Sequence, residues 1–354
     1  MPINENAPLV VLPGAIRFNT DSMKLEYYRG GPVGFGTTTT TGEWVNLTTD
    51  SPDIQTGGTR GLFAGGYTPS ATNVIEYITI STTGNAIDFG DLSQTRTIPA
   101  ASASSTRGLF SGGQIQPSFV NQNTIDYITI SSTGNAQDFG DLTRTTNSSA
   151  SCSSSTRSLN AGGGSNTIDY ITISSTGNAQ DFGDLTRSVF RFSACASSTR
   201  GIFGGGNSAP VSATNVIDFV TISTLGNAAD FGDLLTTRQT PGACSNATRG
   251  LFGGGVYPSP VGTLNIIDYI TIASTGNAQD FGDLTVRRNS NASCSSPTRG
   301  VWAGGYNPAT PTNADNTIDY VTIASTGNAI DFGDLPTFSV RGYFAGLSNG
   351  HGGL

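Results

Sequence analysis

A segment of about 43 to 50 residues occurs six times in this chain, and this repeat constrains the fold more than any other feature. Each copy contains Thr-Arg, a short apolar run and a double glycine, then a segment such as Ile-Asp-Tyr, and finally GNAxDFGDL. The repeat arginines are Arg60, Arg107, Arg157, Arg200, Arg249 and Arg299. A period of this length indicates supersecondary units that stack on one another along the chain.

Each repeat has the pattern of strands and tight turns. Short β-rich runs such as ITI, GLF and DFGDL are separated by clusters of Gly, Asn, Ser and Thr. In residues 123–130 apolar side chains fall on both faces of the predicted strand, which favours a sheet covered on both sides. The 47 glycines among 354 residues disfavour long helices. A repeated four-stranded unit of this length predicts a propeller blade.

The spacing at the ends of the repeat array predicts how the ring closes. The interval from the Leu of FGDL to the next repeat arginine, as from Leu92 to Arg107, is the same in all five internal cases and is long enough for one further strand. Residues 339–347 hold such a strand without partners, whereas residues 60–92 hold three strands that lack a first. We therefore predict an all-β, six-bladed β-propeller of four-stranded blades, closed by one C-terminal plus three N-terminal strands. An open solenoid with two unpaired edges is the alternative.

The repeats resemble those of known proteins over residues 51–354. The double glycine after an apolar strand, with Tyr or Phe in the following strand, resembles a kelch-type propeller repeat, although GNAxDFGDL stands where kelch repeats have a Trp. The nearly verbatim YITISSTGNAQDFGDL units resemble repeats of marine bacteriophage tail-fibre and structural proteins. This resemblance implies a virion protein at the tail or capsid surface, made in the host cytoplasm.

Residues 1–50 are predicted to form a separate small β module. GAIRFNTDSMKLEYYRGG and GEWVNL indicate two strands about a turn and then a third strand, too few to be stable alone. The segment is similar to one in phage tail and fibre proteins, which implies attachment to other virion proteins and oligomerisation, as a trimer by analogy with phage fibres. The residues expected to serve this role are Ile16, Phe18, Leu25, Tyr28 and Trp44.

Composition and motifs exclude several classes of function. Seventeen basic against 25 acidic residues give a net charge of −8, which repels nucleic acid. The sequence shows neither a basic leader nor a long apolar run, so we expect no signal peptide and no membrane insertion. The single Lys24 argues against a kinase despite six Asp-Phe-Gly tripeptides, and the lone His351 against a Ser/His/Asp or Cys/His catalytic group. We expect a protein without cofactor or metal that is not an enzyme. A carbohydrate-active propeller enzyme is a distant alternative, for which Asp315 is the one loop carboxylate.

The repeated acids and cysteines have structural interpretations. Eighteen of the 25 acids occupy three fixed repeat positions, so we expect them to bind the repeat arginines. The cysteines lie five residues before a repeat arginine, where other copies have Ser102 or Ala345, and we expect free thiols on the innermost strands. They are Cys152, Cys195, Cys244 and Cys294.

One connection in the repeat varies in length. Between the double glycine and the Asn that opens the next strand, the copies read YTPSAT, QIQPSFVNQ, GS, NSAPVSAT, VYPSPVGTL and YNPATPTNAD. Because strands alternate in direction, these loops share one face with the connections between blades. Exposed aromatic and Arg side chains on that face are predicted to bind a host-surface glycan or protein. They are Tyr67, Phe119, Phe190, Phe192, Tyr257, Arg287, Arg288 and Tyr306.

The variable loops leave three interpretations open. A tail-fibre or tail-tip adhesin uses the loops as a receptor-binding surface for host attachment. A capsid-decorating or tail/baseplate architectural protein uses the propeller as a spacer. Drift in unselected surface loops explains the variation without any binding.

Overall fold

The structure is a computed structural model that describes residues 16–19, 24–30, 42–46, 59–67, 70–210, 212–257, 262–309, 314–336 and 341–354. The chain divides into two compact units, Met1–Gly57 and Gly58–Leu354. The described part of the chain contains strands and no helix, and so it has no helix that is long and apolar enough to cross a membrane.

The first unit contains a three-stranded antiparallel sheet in the order β1-β2-β3. Its strands are β1 (Ile16–Asn19), β2 (Lys24–Gly30) and β3 (Gly42–Asn46). In the register of this sheet, Phe18 pairs with Leu25 and Tyr28 pairs with Trp44.

The second unit consists of six four-stranded antiparallel sheets, the blades, whose strands follow one another outward from the axis. Blade 1 contains β30 (Ala345–Ser348), β4 (Arg60–Ala64), β5 (Val74–Thr79) and β6 (Ile87–Asp91). Blade 2 contains β7 (Ala100–Ala103), β8 (Arg107–Ser111), β10 (Val120–Thr129) and β11 (Gln137–Thr146), with the short β9 (Gln114–Ile115) beside β10. Blade 3 contains β12 (Ser149–Ser153), β13 (Arg157–Gly162), β14 (Ser165–Thr172) and β15 (Gln180–Val189).

The remaining three blades have the same order. Blade 4 contains β16 (Ser193–Ala196), β17 (Arg200–Gly204), β18 (Thr214–Thr221) and β19 (Ala229–Arg238). Blade 5 contains β20 (Gly242–Ser245), β21 (Arg249–Gly253), β24 (Ile266–Thr271) and β25 (Gln279–Asp283), with a hairpin of β22 (Val256–Tyr257) and β23 (Gly262–Thr263). Blade 6 contains β26 (Ala292–Ser295), β27 (Arg299–Ala303), β28 (Thr317–Thr322) and β29 (Ile330–Asp334).

The ring closes in blade 1. The C-terminal β30 pairs with β4, so that Ala345 lies opposite Ala64 and Leu347 opposite Leu62. Around the axis each innermost strand contacts the innermost strands of both neighbouring blades. The predicted six-bladed propeller, closed by one C-terminal plus three N-terminal strands, is confirmed, and the open solenoid is wrong.

The hydrophobic core lies between adjacent blades. One cluster joins Phe63 and Ile78 of blade 1 to Val301 and Phe332 of blade 6, and the other junctions are filled in the same way. In each blade the aromatic ring of the third strand meets the Phe of DFGDL edge to face, as Tyr77 meets Phe89 at 5.9 Å between centroids. The closing junction is therefore packed like the others.

The repeat arginines join consecutive blades through a backbone oxygen. Arg60 lies over the ring of Tyr77, 4.8 Å from its centroid, and its Nη1 donates to the carbonyl of Ile130 in the next blade at 2.8 Å. Each other repeat arginine makes the same pair of contacts. The prediction that these arginines bind the repeated acids is wrong, because Glu76, the neighbour of Tyr77, lies opposite Phe63 in the register and not opposite Arg60.

A second set of arginines neutralises the buried carboxylates of the third strands. Arg144 Nη1 lies 3.0 Å from Asp169 Oδ2, and Arg341 Nη2 lies 3.2 Å from Glu76 Oε2. Each arginine follows the FGDL segment of one blade, and its carboxylate partner lies on the third strand of the next blade around the ring. The other four pairs are Arg96–Asp126, Arg187–Asp218, Arg238–Asp268 and Arg288–Asp319. Because the carboxylates are 0–1% exposed, they need these partners to stay charged.

The GNAxDFGDL segments of neighbouring blades are joined by hydrogen bonds, and we call this contact the clasp. Gly134 N donates to Phe89 O at 2.8 Å, and Asn135 Oδ1 accepts a bond from Asp91 N at 3.1 Å. Gly90 has a φ of 148°, and a Cβ there would collide with the carbonyl of Gly134. The same clasp closes the ring, since Asn85 accepts from Asp334 N at 3.0 Å.

The cysteine position faces the second strand of the next blade. A Cβ added to Gly300 would lie 2.8 Å from Cys244 Sγ, so glycine makes room for the thiol. Leu347, not Ala345, is the equivalent residue in blade 1, where it lies against Gly108. Blade 2 differs, because Ser102 stands at the cysteine position and faces Ser158 instead of a glycine. The two hydroxyl oxygens are hydrogen bonded at 2.6 Å. The four cysteines are free and buried.

Candidate binding face

The loops between second and third strands lie at the same end of the ring as the connections between blades. Tyr67 forms a bridge with Gly342, Phe190 with Asn207, and Asn289 with Tyr306, each joining a loop to a connection. We call this end the variable face. The other end, formed by the remaining turns, is the constant face. The structure therefore confirms the prediction that these loops and the connections between blades lie at one end of the ring.

Several predicted binding residues are accessible on the variable face. Phe119 is 66% exposed, Tyr67 42% and Tyr306 38%. Arg287 is exposed, and Phe190 and Tyr257 are half-buried. These side chains belong to different blades and form a discontinuous set rather than one cluster.

Two of the predicted binding residues have buried side chains, so the prediction that they are exposed on the variable face is wrong. Arg288 is fully buried, and its Nη2 donates to Asp319 Oδ2 at 2.6 Å while its Nη1 donates to Thr317 O at 2.6 Å. Phe192 is 7% exposed and packs against Phe203 with centroids 6.3 Å apart. In both cases the side chain points inward, Arg288 to Asp319 and Phe192 to Phe203. The spacing of residues in the sequence does not reveal these partners.

The connections meet at the axis in a cycle of backbone hydrogen bonds. One residue from each connection has a φ between 54° and 61°, and its N–H donates to the carbonyl of the equivalent residue in the preceding blade. We call these residues the axial ring: Ile98, Ser148, Arg191, Thr240, Ser290 and Tyr343. The six N···O distances run from 2.6 to 3.4 Å, and the bond from Ile98 N to Tyr343 O closes the cycle.

The axial ring surrounds a cavity of about 90 Å³ on the variable face. We call it the axial cavity. Its wall also contains the residue that follows each ring member, which are Pro99, Ser149, Phe192, Pro241, Asn291 and Phe344. Sequence reasoning missed this site, although Phe192 and Arg191 lie in the segment SVFRF that varies between repeats.

Two polar side chains of the axial cavity differ from the rest. Arg191 is exposed, and its guanidinium lies 5.7 Å from the ring centroid of Phe190. Asn291 is 6% exposed, and neither its Oδ1 nor its Nδ2 has a hydrogen-bond partner among the described residues. Leaving such an amide unpaired costs about 1–3 kcal/mol for each buried group. A Cβ added to Gly242 would lie 2.8 Å from Asn291 Oδ1, so this amide is packed between blades 5 and 6 and does not face the cavity.

Residues 349–354 lie across the axis at the constant face. His351 Nε2 donates to Ala103 O at 2.9 Å, and Gly352 N donates to Ser245 O at 2.9 Å. Gly353 N donates to His351 Nδ1 at 3.1 Å, which fixes the neutral imidazole. Burial lowers the pKa of His351. A second cavity of about 60 Å³ lies between this segment and the innermost strands.

The four thiols beside that cavity lack the properties of nucleophiles. Burial raises the pKa of Cys152 to about 12, and it raises the pKa of the other three in the same direction. No group of three or more His, Cys, Asp or Glu side chains in the described ranges could hold a metal ion. Asp315 is 6% exposed and accepts bonds from Asn307 Nδ2 and Thr317 N, both at 2.8 Å.

The predicted attachment residues lie in the small sheet of the first unit. Ile16 is 62% exposed in β1. Phe18, Leu25, Tyr28 and Trp44 belong to the strands of this sheet, but their side chains lie outside the described part of the structure. Their role stays a prediction.

The second unit is thus a six-bladed β-propeller with one variable and one constant face. No protein-family model matches the chain, and no curated protein matches it.

Proposed function

We propose that this protein is a non-enzymatic bacteriophage virion protein, a tail-fibre or tail-tip adhesin whose variable face contacts the host surface. The observation that carries the proposal is the contrast between the two faces. Identical clasps and arginine contacts repeat at the blade junctions, whereas the loops of one face range from GS to YNPATPTNAD and expose aromatic side chains. Rigidly supported variable loops with aromatic anchors are typical of recognition surfaces.

The sequence resemblances support the virion assignment. The repeats resemble kelch-type units and those of marine phage tail-fibre proteins, and residues 1–50 resemble a phage-fibre segment. In this proposal the first unit attaches the protein to other virion proteins and makes it a homo-oligomer, a trimer by the same analogy. Light scattering of the full chain and of residues 58–354 tests this step. The full chain should be oligomeric and the propeller alone monomeric; a trimeric propeller would contradict the assignment.

An architectural virion protein is the second candidate, and one observation on the rim favours it. In blade 2 the hydroxyl of Tyr127 donates to Gln137 Oε1 at 2.6 Å, and blades 3 and 5 have the same bond. The adjacent blades 1 and 6 have isoleucine at this position, with Ile87 54% and Ile330 59% exposed. Two exposed isoleucines on neighbouring blades suit contact with a neighbouring protein.

Competition for adsorption tests the adhesin directly. Purified full-length protein should block adsorption of the parent phage to its host, and Phe119→Ser should abolish this block. The matched control is Leu225→Ser, which removes a side chain 57% exposed in a turn of the constant face. Equal blocking by both variants, or variable loops buried against a virion protein in cryo-electron microscopy of particles, would favour the architectural role.

A further inference from the structure

Blade 2 has a hairpin on the variable face that differs from the other loops. Residues 114–122, QIQPSFVNQ, contain four amide side chains and no charged side chain, whereas the corresponding loops of blades 1, 3 and 5 contain no amide. We call these residues the amide hairpin. Strands β9 and β10 pair within it, so that Gln114 lies opposite Asn121. At its tip Phe119 is 66% exposed and Val120 53%.

Hydrogen bonds between side chains fix the orientation of the Asn121 amide. Its Oδ1 accepts a bond from Gln114 Nε2 at 3.1 Å and a second from Nδ2 of Asn147, which follows β11. Gln114 Nε2 also donates to Phe119 O at 3.3 Å, so one nitrogen joins the tip to this network. Asn121 is exposed, and its Nδ2 donates to no other group within the described part of the chain. The hairpin therefore presents two oriented N–H donors beside an exposed aromatic ring.

The surroundings of the amide hairpin offer no free cation to an anionic ligand. The arginines of the two connections beside it are already paired, Arg96 with Asp126 and Arg144 with Asp169. The chain as a whole has a net charge of −8. A ligand that carries a carboxylate or phosphate would be repelled here without any compensating contact, because like charges disfavour association. The chemistry of the hairpin thus favours an uncharged ligand.

The size of the amide hairpin limits the ligand further. A stable protein–protein interface takes about 800 Å² and about 20–30 residues from each partner, whereas the amide hairpin has nine residues. Its tip is therefore suited to a single ring-sized group. A sugar ring fits both features of the tip, since it has an apolar C–H face for an aromatic side chain and hydroxyl oxygens for N–H donors.

We propose that the amide hairpin binds an uncharged sugar residue of a host-surface glycan. The ring of Phe119 packs against the C–H face of the sugar, and Asn121 Nδ2 donates to its hydroxyl oxygens. The inference rests on the proposed function, since it names the ligand class for the variable face. One such contact is weak, and the homo-oligomer of the proposed function would strengthen binding by engaging several sugars at once.

Ligand titrations followed by NMR test this inference on the full-length protein. The probes are glucose, galactose, mannose and N-acetylglucosamine, with glucuronic acid and galacturonic acid as charged controls. We expect saturable binding of at least one neutral sugar, and at least tenfold weaker binding of both acidic sugars. Phe119→Ser should weaken the binding of that neutral sugar at least tenfold, because it removes the ring against which the sugar packs.

Asn121→Asp separates sugar binding from folding of the hairpin. Aspartate keeps the oxygen that accepts from Gln114 and Asn147 but replaces the two N–H donors with an acceptor. The affinity should therefore fall at least tenfold while the midpoint of urea unfolding stays close to that of the parent. The matched control is Gln137→Ala, which removes an exposed amide on β11 of the same blade and gives it the alanine that blade 4 has at Ala229. This control should leave the affinity unchanged.

The outcomes separate this inference from the proposed function. Failure of all four neutral sugars to bind, or an equal effect of Asn121→Asp and Gln137→Ala on affinity, would overturn the inference. Tighter binding of the acidic sugars would also overturn it. If the protein blocks phage adsorption but binds none of the neutral sugars, the adhesin stands and this site falls. If it binds a neutral sugar but does not block adsorption, the site stands and the adhesin falls.

Discussion

Replacing Arg288 with methionine should destabilise the propeller far more than the same change at its neighbour, Arg287. Arg288 donates bonds of 2.6 Å to Asp319 and to Thr317 O, and both members of the ion pair are 0% exposed. Methionine keeps the apolar part of the side chain but leaves the Asp319 carboxylate with only Thr285, whose N–H and hydroxyl donate at 3.1 and 2.6 Å. An uncompensated buried charge of this kind costs about 3–5 kcal/mol of unfolding free energy.

Urea unfolding, followed by the fluorescence of the buried Trp302, measures this difference. Arg288→Met should lower the unfolding free energy by about 3–5 kcal/mol and the Tm by about 6–10 °C. Arg287→Met should stay within about 0.5 kcal/mol of the parent, since its side chain is exposed. Replacing both partners, Arg288→Met with Asp319→Leu, should recover most of the loss because no charge is then left unpaired. Equal, small effects of the two single variants would refute the assignment of Arg288 to the core.

Three further outcomes follow from the blade contacts. Asn135→Ala removes the acceptor for Asp91 N and should lower the unfolding free energy, measured in urea, by about 0.5–1.5 kcal/mol. A loss near zero would mean that this hydrogen bond of the clasp adds no stability. The native protein should react slowly with a thiol reagent at pH 8 and release four equivalents only in denaturant, because burial raises the pKa of each thiol; fast native reaction would contradict this. Because the pKa of His351 is lower in the folded than in the unfolded chain, the unfolded state binds more protons. The unfolding free energy should therefore fall as the pH drops below about 6.5, the ordinary histidine value, and His351→Gln should remove this slope; an unchanged slope would contradict the tail contact.

The architecture could be predicted because each repeat has the same strands at nearly constant intervals along the sequence. A constant interval between the FGDL leucine and the next arginine defines the innermost strand, and the count at both ends places the closure in blade 1. Roles within the blade were harder to predict. Arg144 follows the FGDL leucine by two residues, Arg288 by four and Arg341 by six, so the ion-pair arginines do not align with one another.

The axial ring escaped prediction for a different reason. A positive φ is usually signalled by Gly, Asn or Asp, but the ring contains residues such as Ile98 and Tyr343. A positional signal does exist, since each internal ring residue lies nine residues before a repeat arginine, as Ile98 precedes Arg107. Its meaning became apparent only from the bonds between blades, which join residues far apart in the sequence.

The hydrogen bonds of the axial ring join main-chain atoms alone. The scaffold is therefore inherited independently of the side chains that determine specificity. Residues as different as Ile98, Ser148 and Arg191 already occupy equivalent places in the same cycle. Point mutations there can change charge, size or aromaticity at the opening without altering the backbone that presents them. Such a lineage could exchange one ligand for another in single steps, each through a folded and stable intermediate.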